Sequence, residues 1–312
     1  MIEILKAPPY ATVQDLGFPS GRAWGLPICG AMDPVLLRAA NAMAGNPPGA
    51  AALEWALGPL TVQSDREVRI AAIRMTEIRV GARAVALPPA GMTVPARVPV
   101  TLVPVPGVVF SYLAVAGGIA APMVLGSRST YLAGGFGGWG GRRLQRGDRL
   151  AVGSPSPATG DPVLPSITVG DIPLPQSGDA DPPGYPAAVL RVVRGPQWDR
   201  FDPAAREGFF SAQYTVDRAS DRSGYRLSGP AVLPKEPATL PSEPACPGAV
   251  QVPDNGQPIV LMPDGPTVGG YPKLAVVIRS DLRLLAQCHP GRVVRFREVS
   301  LEEAREAGRA PG

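Results

Sequence analysis

Residues 256–291 contain side chains suited to handling a small polar substrate. An acid, a hydroxyl, a glycine pair, a phenol and an amine fall within ten positions: Asp264, Thr267, Gly269, Gly270, Tyr271 and Lys273. Apolar, strand-like runs flank this polar turn, and rigid strands often carry sites on such turns. The amine could polarise a carbonyl or balance a phosphate. The alternative is that it only forms an ion pair across a hairpin.

A second polar turn lies at residues 126–142, in the run GSRSTYLAGGFGGWGGR. Three hydroxyls and a guanidinium stand together there: Ser127, Arg128, Ser129 and Thr130. Such groups, with the exposable amides of many glycines, suit an oxyanion or a phosphate. The run lacks the G-x-x-x-x-G-K-[ST] pattern, which excludes a P-loop. The alternative is a wide loop whose glycines only provide positive φ angles.

Two smaller clusters complete the candidates. In SDRSGYRLSG at 220–229, four polar side chains are close in sequence: Asp221, Arg222, Tyr225 and Arg226. Arg222 and Asp221 could instead pair on the surface, which contributes little. Near the N-terminus stand Gln14, Asp15 and Asp33, and Asp33 is equally well explained as a helix cap. Gln251 and Gln257 lead into the first polar turn.

Composition excludes several classes of function. The apolar fraction is 45%, the charged fraction is 18%, and 76 glycines and prolines punctuate Val/Ile/Leu runs, which indicates a folded, β-rich protein. A net charge of +4 with scattered arginines and 6% aromatics argues against nucleic-acid binding. It suits an anionic small substrate or an acidic partner.

The rarer residue types narrow the chemistry further. With one histidine, His289, the sequence argues against a Ser-His-Asp triad and against a multi-histidine metal site, so we expect no metal. Three cysteines show no metal-ligand or C-x-x-C spacing, which favours a reduced cytoplasm. We also expect no signal peptide and no membrane-spanning helix, since no run of about 18 apolar residues occurs.

The pattern along the chain predicts many short strands and few helices. Asp33, Pro34 and the terminating Gly45 bound one helix, and Ser300 with Glu303 forms a capping box that starts another. The strands favour barrels or sandwiches. We predict an N-terminal domain at 1–150, a Pro/Gly-rich linker or crossover at 151–187, a C-terminal domain at 188–300 and a tail at 301–312.

Ordered motifs from about residue 10 to 300 resemble one family. They include TVQDLG, GLPICGAMDP, ALEWALG, YLAVAGGI, GSRST, GGWGGRRLQRGD, SDRSGYRLSGP, GAVQVPDNGQPIVLMPDG and GGYPKLAVVIRSDL. The family is that of carboxyltransferase-like proteins, variously called the C-type subunit of 5-oxoprolinase, allophanate hydrolase subunit 2 and antikinase A. The resemblance implies a mainly β fold of two cyclophilin-like β-barrel domains with a few short helices. It also implies a B-type partner of similar fold and an A-type partner.

Three functions follow from this resemblance. The first is ATP-dependent hydrolysis of 5-oxo-L-proline to L-glutamate together with the A- and B-type subunits, with ATP as co-substrate. The second is carboxyl transfer from carboxybiotin to urea or a related amide; this chain has no Ala-Met-Lys-Met motif, so it would carry no biotin itself. The third is a non-catalytic protein that antagonises an inhibitor of a sensor kinase.

For the first function, we predict a catalytic set and a binding set. The catalytic candidates are Asp264, Lys273, Tyr271 and Asp221. The candidates for binding substrate or phosphate are Gln14, Asp33, Ser127, Arg128, Ser129, Thr130, Tyr225, Arg226, Gln251, Gln257, Thr267, Gly269 and Gly270.

Overall fold

β-Branched and aromatic runs bounded by glycine and proline form strands throughout the protein, as their propensities favour. The structure, a computed structural model, describes residues 1–85, 91–155 and 187–309. These residues divide into two units. The first unit comprises residues 1–19, 29–85 and 91–155, and the second comprises residues 20–28 and 187–309.

The described residues of the first unit form two large sheets, a two-stranded ribbon and one α-helix. Its strands are β1 (Ile2–Lys6), β2 (Tyr10–Gln14), β3 (Ala52–Ala56), β4 (Leu60–Ser64), β5 (Val68–Ile73), β6 (Met75–Val80), β7 (Arg83–Val85), β8 (Met92–Val94), β9 (Pro99–Pro104), β10 (Ser111–Val115), β11 (Thr130–Tyr131), β12 (Phe136–Gly137) and β13 (Arg149–Leu150). One sheet has the order β13-β1-β4-β9-β6-β7, and the other has the order β2-β3-β10-β5-β8. β11 and β12 form a separate ribbon.

The core of this unit takes side chains from both of the larger sheets. Ile4 and Val62 of one sheet and Leu53, Trp55 and Leu113 of the other belong to one buried cluster. Burying this apolar surface is the main favourable contribution to the fold. Helix α1 (Pro34–Ala44) packs on β5 and β10.

The predicted first helix is confirmed, including both of its ends. The Asp33 carboxylate accepts hydrogen bonds from the amides of Val35 and Leu36, each at 3.1 Å. Gly45 ends the helix in the left-handed conformation, with φ of 78°, which glycine adopts without strain.

The second unit contains a closed seven-stranded barrel with the order β14-β21-β18-β19-β16-β15-β22. Its strands are β14 (Ala188–Arg194), β15 (Tyr214–Val216), β16 (Gly224–Ser228), β17 (Glu243–Pro244), β18 (Ala249–Gln251), β19 (Ile259–Leu261), β20 (Val268–Gly269), β21 (Lys273–Val277) and β22 (Val293–Glu298). β17 and β20 pair as a ribbon outside the ring. The prediction of a mainly β fold is confirmed. The expected second barrel is not confirmed, because no closed ring of strands is found among the described residues of the first unit.

Three further α-helices occur in the described part of the second unit: α2 (Pro203–Ser211), α3 (Arg279–Ala286) and α4 (Leu301–Arg309). Short 3₁₀ helices cover Gly21–Trp24 and Trp198–Arg200. The capping box of α4 is confirmed, since Ser300 Oγ accepts from the Glu303 amide at 3.0 Å and Glu303 Oε2 accepts from the Ser300 amide at 3.1 Å. We did not predict α2 or α3, although Asp202 and Pro203 repeat the Asp-Pro signal that starts α1.

The predicted domain boundaries stay a prediction. Most of the proposed linker, residues 156–186, lies outside the described residues, as do residues 310–312 of the proposed tail. In the described part of the chain, no helix has the length and apolarity needed to cross a membrane.

Candidate functional site

Asp15 organises the polar loop of the first unit. Its Oδ1 atom accepts hydrogen bonds from Ser127 Oγ at 2.6 Å, Ser129 Oγ at 2.5 Å and the Gly17 amide at 2.8 Å. Its Oδ2 atom accepts from the Arg128 amide at 2.6 Å. The Asp15 amide in turn donates to Ser129 Oγ at 2.9 Å. A carboxylate satisfied by several donors is a strong local anchor, so Asp15 fixes the main chain on both sides of Arg128.

The other predicted polar residues of this unit also bond within the loop and its neighbours. Thr130 Oγ1 donates to the Val13 carbonyl at 2.9 Å. Gln14 Nε2 donates to Thr12 Oγ1 at 3.0 Å and to the Thr130 carbonyl at 3.2 Å. The Gln14 Oε1 atom is buried and has no hydrogen-bond partner among the described residues. In these contacts the polar side chains bond to the protein itself. Their predicted part in binding a ligand stays a prediction.

A buried carboxylate that sequence analysis missed lies in the same unit. Glu54 is fully buried on β3 and accepts hydrogen bonds from Tyr10 at 3.1 Å, from Tyr112 at 2.7 Å and from the Met32 amide at 2.8 Å. Burial, together with the nearby negative charge of Glu54, raises the pKa of Tyr112 well above its usual value. The only sequence signal was an acid inside the apolar run ALEWALG.

Arg128 lines a cleft of about 330 Å³ in the first unit. Its guanidinium donates to the Ala121 carbonyl, and it is the one charged side chain among the described residues that line the cleft. The remaining lining residues are small, apolar or uncharged: Asn46, Pro47, Gly49, Ala50, Ala51, Gly117, Gly118, Ile119, Ala120, Gly153 and Ser154. A single cation thus faces walls that carry no other charged side chain among the described residues.

In the second unit, strand register places four side chains in one row across the barrel. Arg226 pairs with Ile259, Ile259 with Gln251, and Gln251 with Lys273. Residues directly opposite each other on antiparallel strands present their side chains on the same face. The row runs from exposed Arg226 to buried Lys273. Three residues that are remote in sequence and were predicted for the site therefore share one face.

Lys273 is held by two residues that were not predicted. Its Nζ atom donates to Glu243 Oε1, and its amide donates to Gln197 Oε1 at 3.0 Å. Gln197 Nε2 also donates to Glu243 Oε1, at 2.6 Å. The hydrogen bond from Lys273 holds the pKa of Glu243 below its ordinary value. No local pattern marks Glu243 or Gln197, because they reach the site only through the fold.

The Asp264 carboxylate is engaged by Arg222, for which a surface pair with Asp221 was the alternative interpretation. Arg222 Nε donates to Oδ2 at 2.8 Å and Nη2 to Oδ1 at 2.7 Å, and both side chains are buried. Asp221 is exposed, and its Oδ1 atom accepts from the Ser223 amide at 2.7 Å. This bidentate ion pair occupies both carboxylate oxygens of Asp264, one of the predicted catalytic residues.

A polar groove of about 460 Å³ collects three of the predicted residues: Arg226, Gln257 and Tyr271. Tyr271 is exposed, which leaves its phenol accessible. Gln257 makes two bonds to Gly229, accepting from its amide at 2.9 Å and donating to its carbonyl at 3.1 Å. The groove is completed by Asp217, Leu227, Ser228, Pro253, Asn255, Pro258 and Ile259.

The remaining predicted residues of this unit lie close to the Lys273 cluster or inside the barrel. Gln251 is buried, and its Nε2 atom has no partner among the described residues. That atom is 2.5 Å from where a Cβ on Gly269 would stand, so a larger residue there would require the Gln251 amide to move. The Gly270 carbonyl accepts from the Leu240 amide at 2.7 Å. Thr267 Oγ1 donates to the Gly25 carbonyl at 3.4 Å.

Tyr225 faces away from the groove. It is buried, and its phenol donates to the Ala286 carbonyl at 3.0 Å. Its cross-strand partner Val260 is also buried, whereas Arg226, the next residue along, is exposed. This alternation assigns Tyr225 to the barrel interior.

The predicted residues are distributed over both units. Gln14, Asp33 and the loop 127–130 belong to the first unit, and the other candidates belong to the second. Among the described residues, no group of three or more His, Cys, Asp or Glu side chains is arranged to hold a metal ion.

The chain is similar in sequence to known proteins over almost its whole length. A family model described as the carboxyltransferase domain, subdomain A and B, matches residues 24–298. The chain is 38% identical over 311 residues to the C-type subunit of 5-oxoprolinase from Escherichia coli, an alignment that covers 98% of this chain and 94% of the relative. It is 34% identical to the corresponding 5-oxoprolinase subunit from Haemophilus influenzae, with 97% and 93% covered.

The fold also matches part of a larger enzyme. In the crystal structure of Kluyveromyces lactis urea carboxylase, a region superposes with a TM-score of 0.86 and is 27% identical. The match covers 97% of this chain but 28% of that protein. The chain therefore corresponds to little more than a quarter of the larger enzyme.

Proposed function

Because this chain belongs to the family of the carboxyltransferase domain, subdomain A and B, we propose that it is a subunit of an ATP-dependent 5-oxoprolinase. The observation that carries the proposal is the end-to-end similarity to the C-type subunit of a 5-oxoprolinase, with 38% identity and 94% of that relative covered. We propose that it hydrolyses 5-oxo-L-proline to L-glutamate together with A- and B-type subunits, in the cytoplasm. We also propose that each half follows a cyclophilin-like barrel plan, which the closed ring of the second unit supports for that unit.

The proposed chemistry needs an activated lactam. Opening an unstrained lactam is difficult, and phosphorylation of its carbonyl oxygen by ATP creates a good leaving group. The complex must then hold a small carboxylate and stabilise anionic oxygens. We assign ATP to the complex as co-substrate, and we propose that this chain carries no biotin.

Within the second unit, we assign the chemistry to the row from Arg226 to Lys273 and the groove beside it. Lys273 and Arg226 are the cations of the row, and Tyr271 and Gln257 line the groove that Arg226 borders. We propose that Lys273 stabilises negative charge that develops on the substrate. Of the four predicted catalytic residues, Lys273 and Tyr271 are favoured, because Arg222 occupies Asp264 and Asp221 caps a turn.

Carboxyl transfer is the second candidate, and the similarity to urea carboxylase favours it. In this alternative the chain would move a carboxyl group from carboxybiotin, carried by another protein, to urea or a related amide. The matched region is 28% of that enzyme, so the likeness concerns one part of it.

The two candidates are separated by supplying both sets of substrates to the purified chain with its A- and B-type partners. We expect L-glutamate from 5-oxo-L-proline only when ATP and all three proteins are present. Urea and a carboxybiotinylated carrier should yield no carboxylated product. Carboxylated urea without glutamate would reject the oxoprolinase proposal and select carboxyl transfer.

Lys273→Ala tests the assigned site within the same assay. We expect loss of turnover of at least about a hundredfold, the size typical of removing one group that stabilises transition-state charge. Lys235→Ala is the matched control, because Lys235 also belongs to the second unit but is exposed, and its ammonium bonds to the Asp199 carbonyl. Full turnover by Lys273→Ala would remove this residue from the site without touching the proposal for the whole complex.

A further inference from the structure

The geometry points to the Arg128 cleft of the first unit as a binding site for a small cyclic carboxylate. The inference rests on the proposed function for the choice of ligand, which would be 5-oxo-L-proline itself, bound through its carboxylate. It assigns lactam recognition to this chain and to its first unit.

The position of Arg128 is fixed before any ligand arrives. Asp15 accepts from the Arg128 amide at 2.6 Å and from the hydroxyls of Ser127 and Ser129 on either side. The guanidinium donates to the Ala121 carbonyl. A guanidinium has five N–H donors in a planar fork, so most of its donors remain for another acceptor. Preorganisation of this kind reduces the entropic cost of binding.

The walls of the cleft offer few other polar contacts. The Gly117 amide donates to Asn46 Oδ1 at 2.8 Å, and the Gly118 amide donates to the Val115 carbonyl at 2.8 Å. The Ile119 amide donates to the Ala51 carbonyl, also at 2.8 Å. Because these donors are already used, the guanidinium is the charged anchor of the cleft, and the rest of a ligand must be compact and uncharged.

Glycine makes this narrow geometry possible. A Cβ atom on Gly117 would stand 2.2 Å from the Gly153 carbonyl oxygen, and one on Gly153 would stand 2.4 Å from the Gly117 oxygen. Both distances are far below van der Waals contact, so these two chain segments can lie against each other only as glycines. The lining therefore consists largely of main chain and methyl groups.

The charge and the lining together select the class of ligand. A carboxylate carries one charge and accepts two parallel N–H bonds from a single arginine. A nucleoside triphosphate carries several negative charges. In this cleft it would meet a single cation, so most of its charge would stay unbalanced. The five-membered ring of 5-oxoproline is compact enough for a cleft of about 330 Å³. We therefore assign the lactam, and not the nucleotide, to this cleft.

Calorimetric titration of the purified full chain, without partners, tests the inference. The probes are 5-oxo-L-proline, 2-pyrrolidinone, which lacks the carboxylate, and inorganic phosphate, which provides a different anion. We expect 5-oxo-L-proline to bind and 2-pyrrolidinone to fail. We expect phosphate to bind at least about tenfold more weakly, because it lacks the apolar ring that the walls accept.

Three variants test the guanidinium, the space in the cleft and an arginine outside it. Arg128→Gln should weaken 5-oxo-L-proline binding at least about tenfold, the usual loss with a charge-assisted hydrogen bond. Ala50→Leu should weaken it comparably by filling the cleft while leaving the guanidinium in place. Arg143→Gln is the matched control, because Arg143 also bonds to a main-chain carbonyl, that of Pro9, but is exposed and outside the cleft. Its affinity should equal that of the wild type.

Several results would overturn the inference: no binding by the folded chain, equal binding of 2-pyrrolidinone or phosphate, or wild-type affinity in Arg128→Gln. These failures differ from failure of the proposed function. If the complete complex makes glutamate with an unchanged KM in Arg128→Gln, the function stands and the cleft assignment falls. If the complex makes no glutamate but the chain binds the lactam through Arg128, the cleft assignment stands alone.

Discussion

Tyr214 shows how a single buried hydroxyl affects the barrel. Its ring packs against Phe209 and Phe296, with centroid distances of 6.0 Å and 5.8 Å. Its Oη atom is buried without a hydrogen-bond partner among the described residues. Burial raises the pKa of Tyr214 to about 12. The phenol therefore contributes packing but no polar interaction.

We expect Tyr214→Phe to leave the free energy of unfolding unchanged or to raise it by up to about 1 kcal/mol, because an unsatisfied polar atom is removed. The raised pKa means that the folded state keeps the proton. The wild type should therefore lose stability relative to Tyr214→Phe as the pH rises from about 10 through 12. Urea unfolding at pH 7 and pH 11 measures both effects. A variant that is less stable than the wild type at both pH values would contradict this account.

The Arg222–Asp264 pair bears on whether Asp264, in the polar turn of residues 256–291, is structural or catalytic. Both side chains are buried and joined by two hydrogen bonds. Breaking such a pair leaves one buried charge uncompensated. We expect Asp264→Asn to lower the free energy of unfolding by about 3 to 5 kcal/mol.

The matched control is Glu298→Gln, which breaks the exposed pair with Arg194 and should cost less than about 1 kcal/mol. Denaturant unfolding of both variants provides the comparison. If Asp264→Asn is as stable as the control but the complex loses turnover, Asp264 is the catalytic base after all.

At the scale of elements, the β17–β20 ribbon is tied to the barrel through Glu243. This residue lies on β17, accepts from Lys273 on β21 and from Gln197 beside the 3₁₀ helix Trp198–Arg200, and is partly exposed. Its pKa is below the ordinary value because Lys273 donates to the charged form. A depressed acid pKa contributes stability above the unfolded-state pKa, and that contribution is lost as the pH falls through the folded-state pKa.

We therefore expect Glu243→Gln to be less stable than the wild type at pH 7, by about 1 kcal/mol for a solvent-screened pair. The difference should shrink as the pH falls below about 4.5. Unfolding midpoints between pH 7 and pH 3 measure this trend. Glu236→Gln, which alters the exposed pair with Arg200, should show a smaller difference at pH 7. A Glu243→Gln deficit that grows toward pH 3 would contradict the assigned ion pair.

Elements with local signals could be predicted from the sequence. Asp33 and Gly45 mark the ends of α1, and Ser300 with Glu303 marks the start of α4. Helix α3 could not, because it directly follows the strand β21 and has no side-chain cap at its start. The number of closed barrels could not be predicted either, because ring closure depends on which strands pair and not on their individual sequences.

At the scale of the whole molecule, long-range pairing decides the candidate site. Asp15 reaches Ser127 across 112 positions, and Lys273 reaches Glu243 across 30. No spacing rule marks such partners, which explains why polar clusters could be predicted but their partners could not. The Arg128 cleft could not be predicted either, because most of the residues in its walls are glycines and alanines, which carry no chemical signal of their own.

For the molecule as a whole, the central claim is that this chain is a subunit of an enzyme complex. Its similarity to the C-type subunit of 5-oxoprolinase extends over 98% of its length, so the claim concerns the whole chain and not one motif. Within the first unit the Arg128 cleft is then assigned to recognition of the lactam, and the role of Lys273 in the second unit is tested separately by its own variant. Under these assignments, turnover also requires the nucleotide and the partner proteins.

The most direct test measures L-glutamate and ADP formed from 5-oxo-L-proline and ATP by the chain mixed with its A- and B-type partners, with each protein omitted in turn. The account predicts that both products appear together in the complete mixture and that glutamate formation stops when this chain is left out. Undiminished glutamate formation without this chain, or none from a stable complete complex, would contradict it.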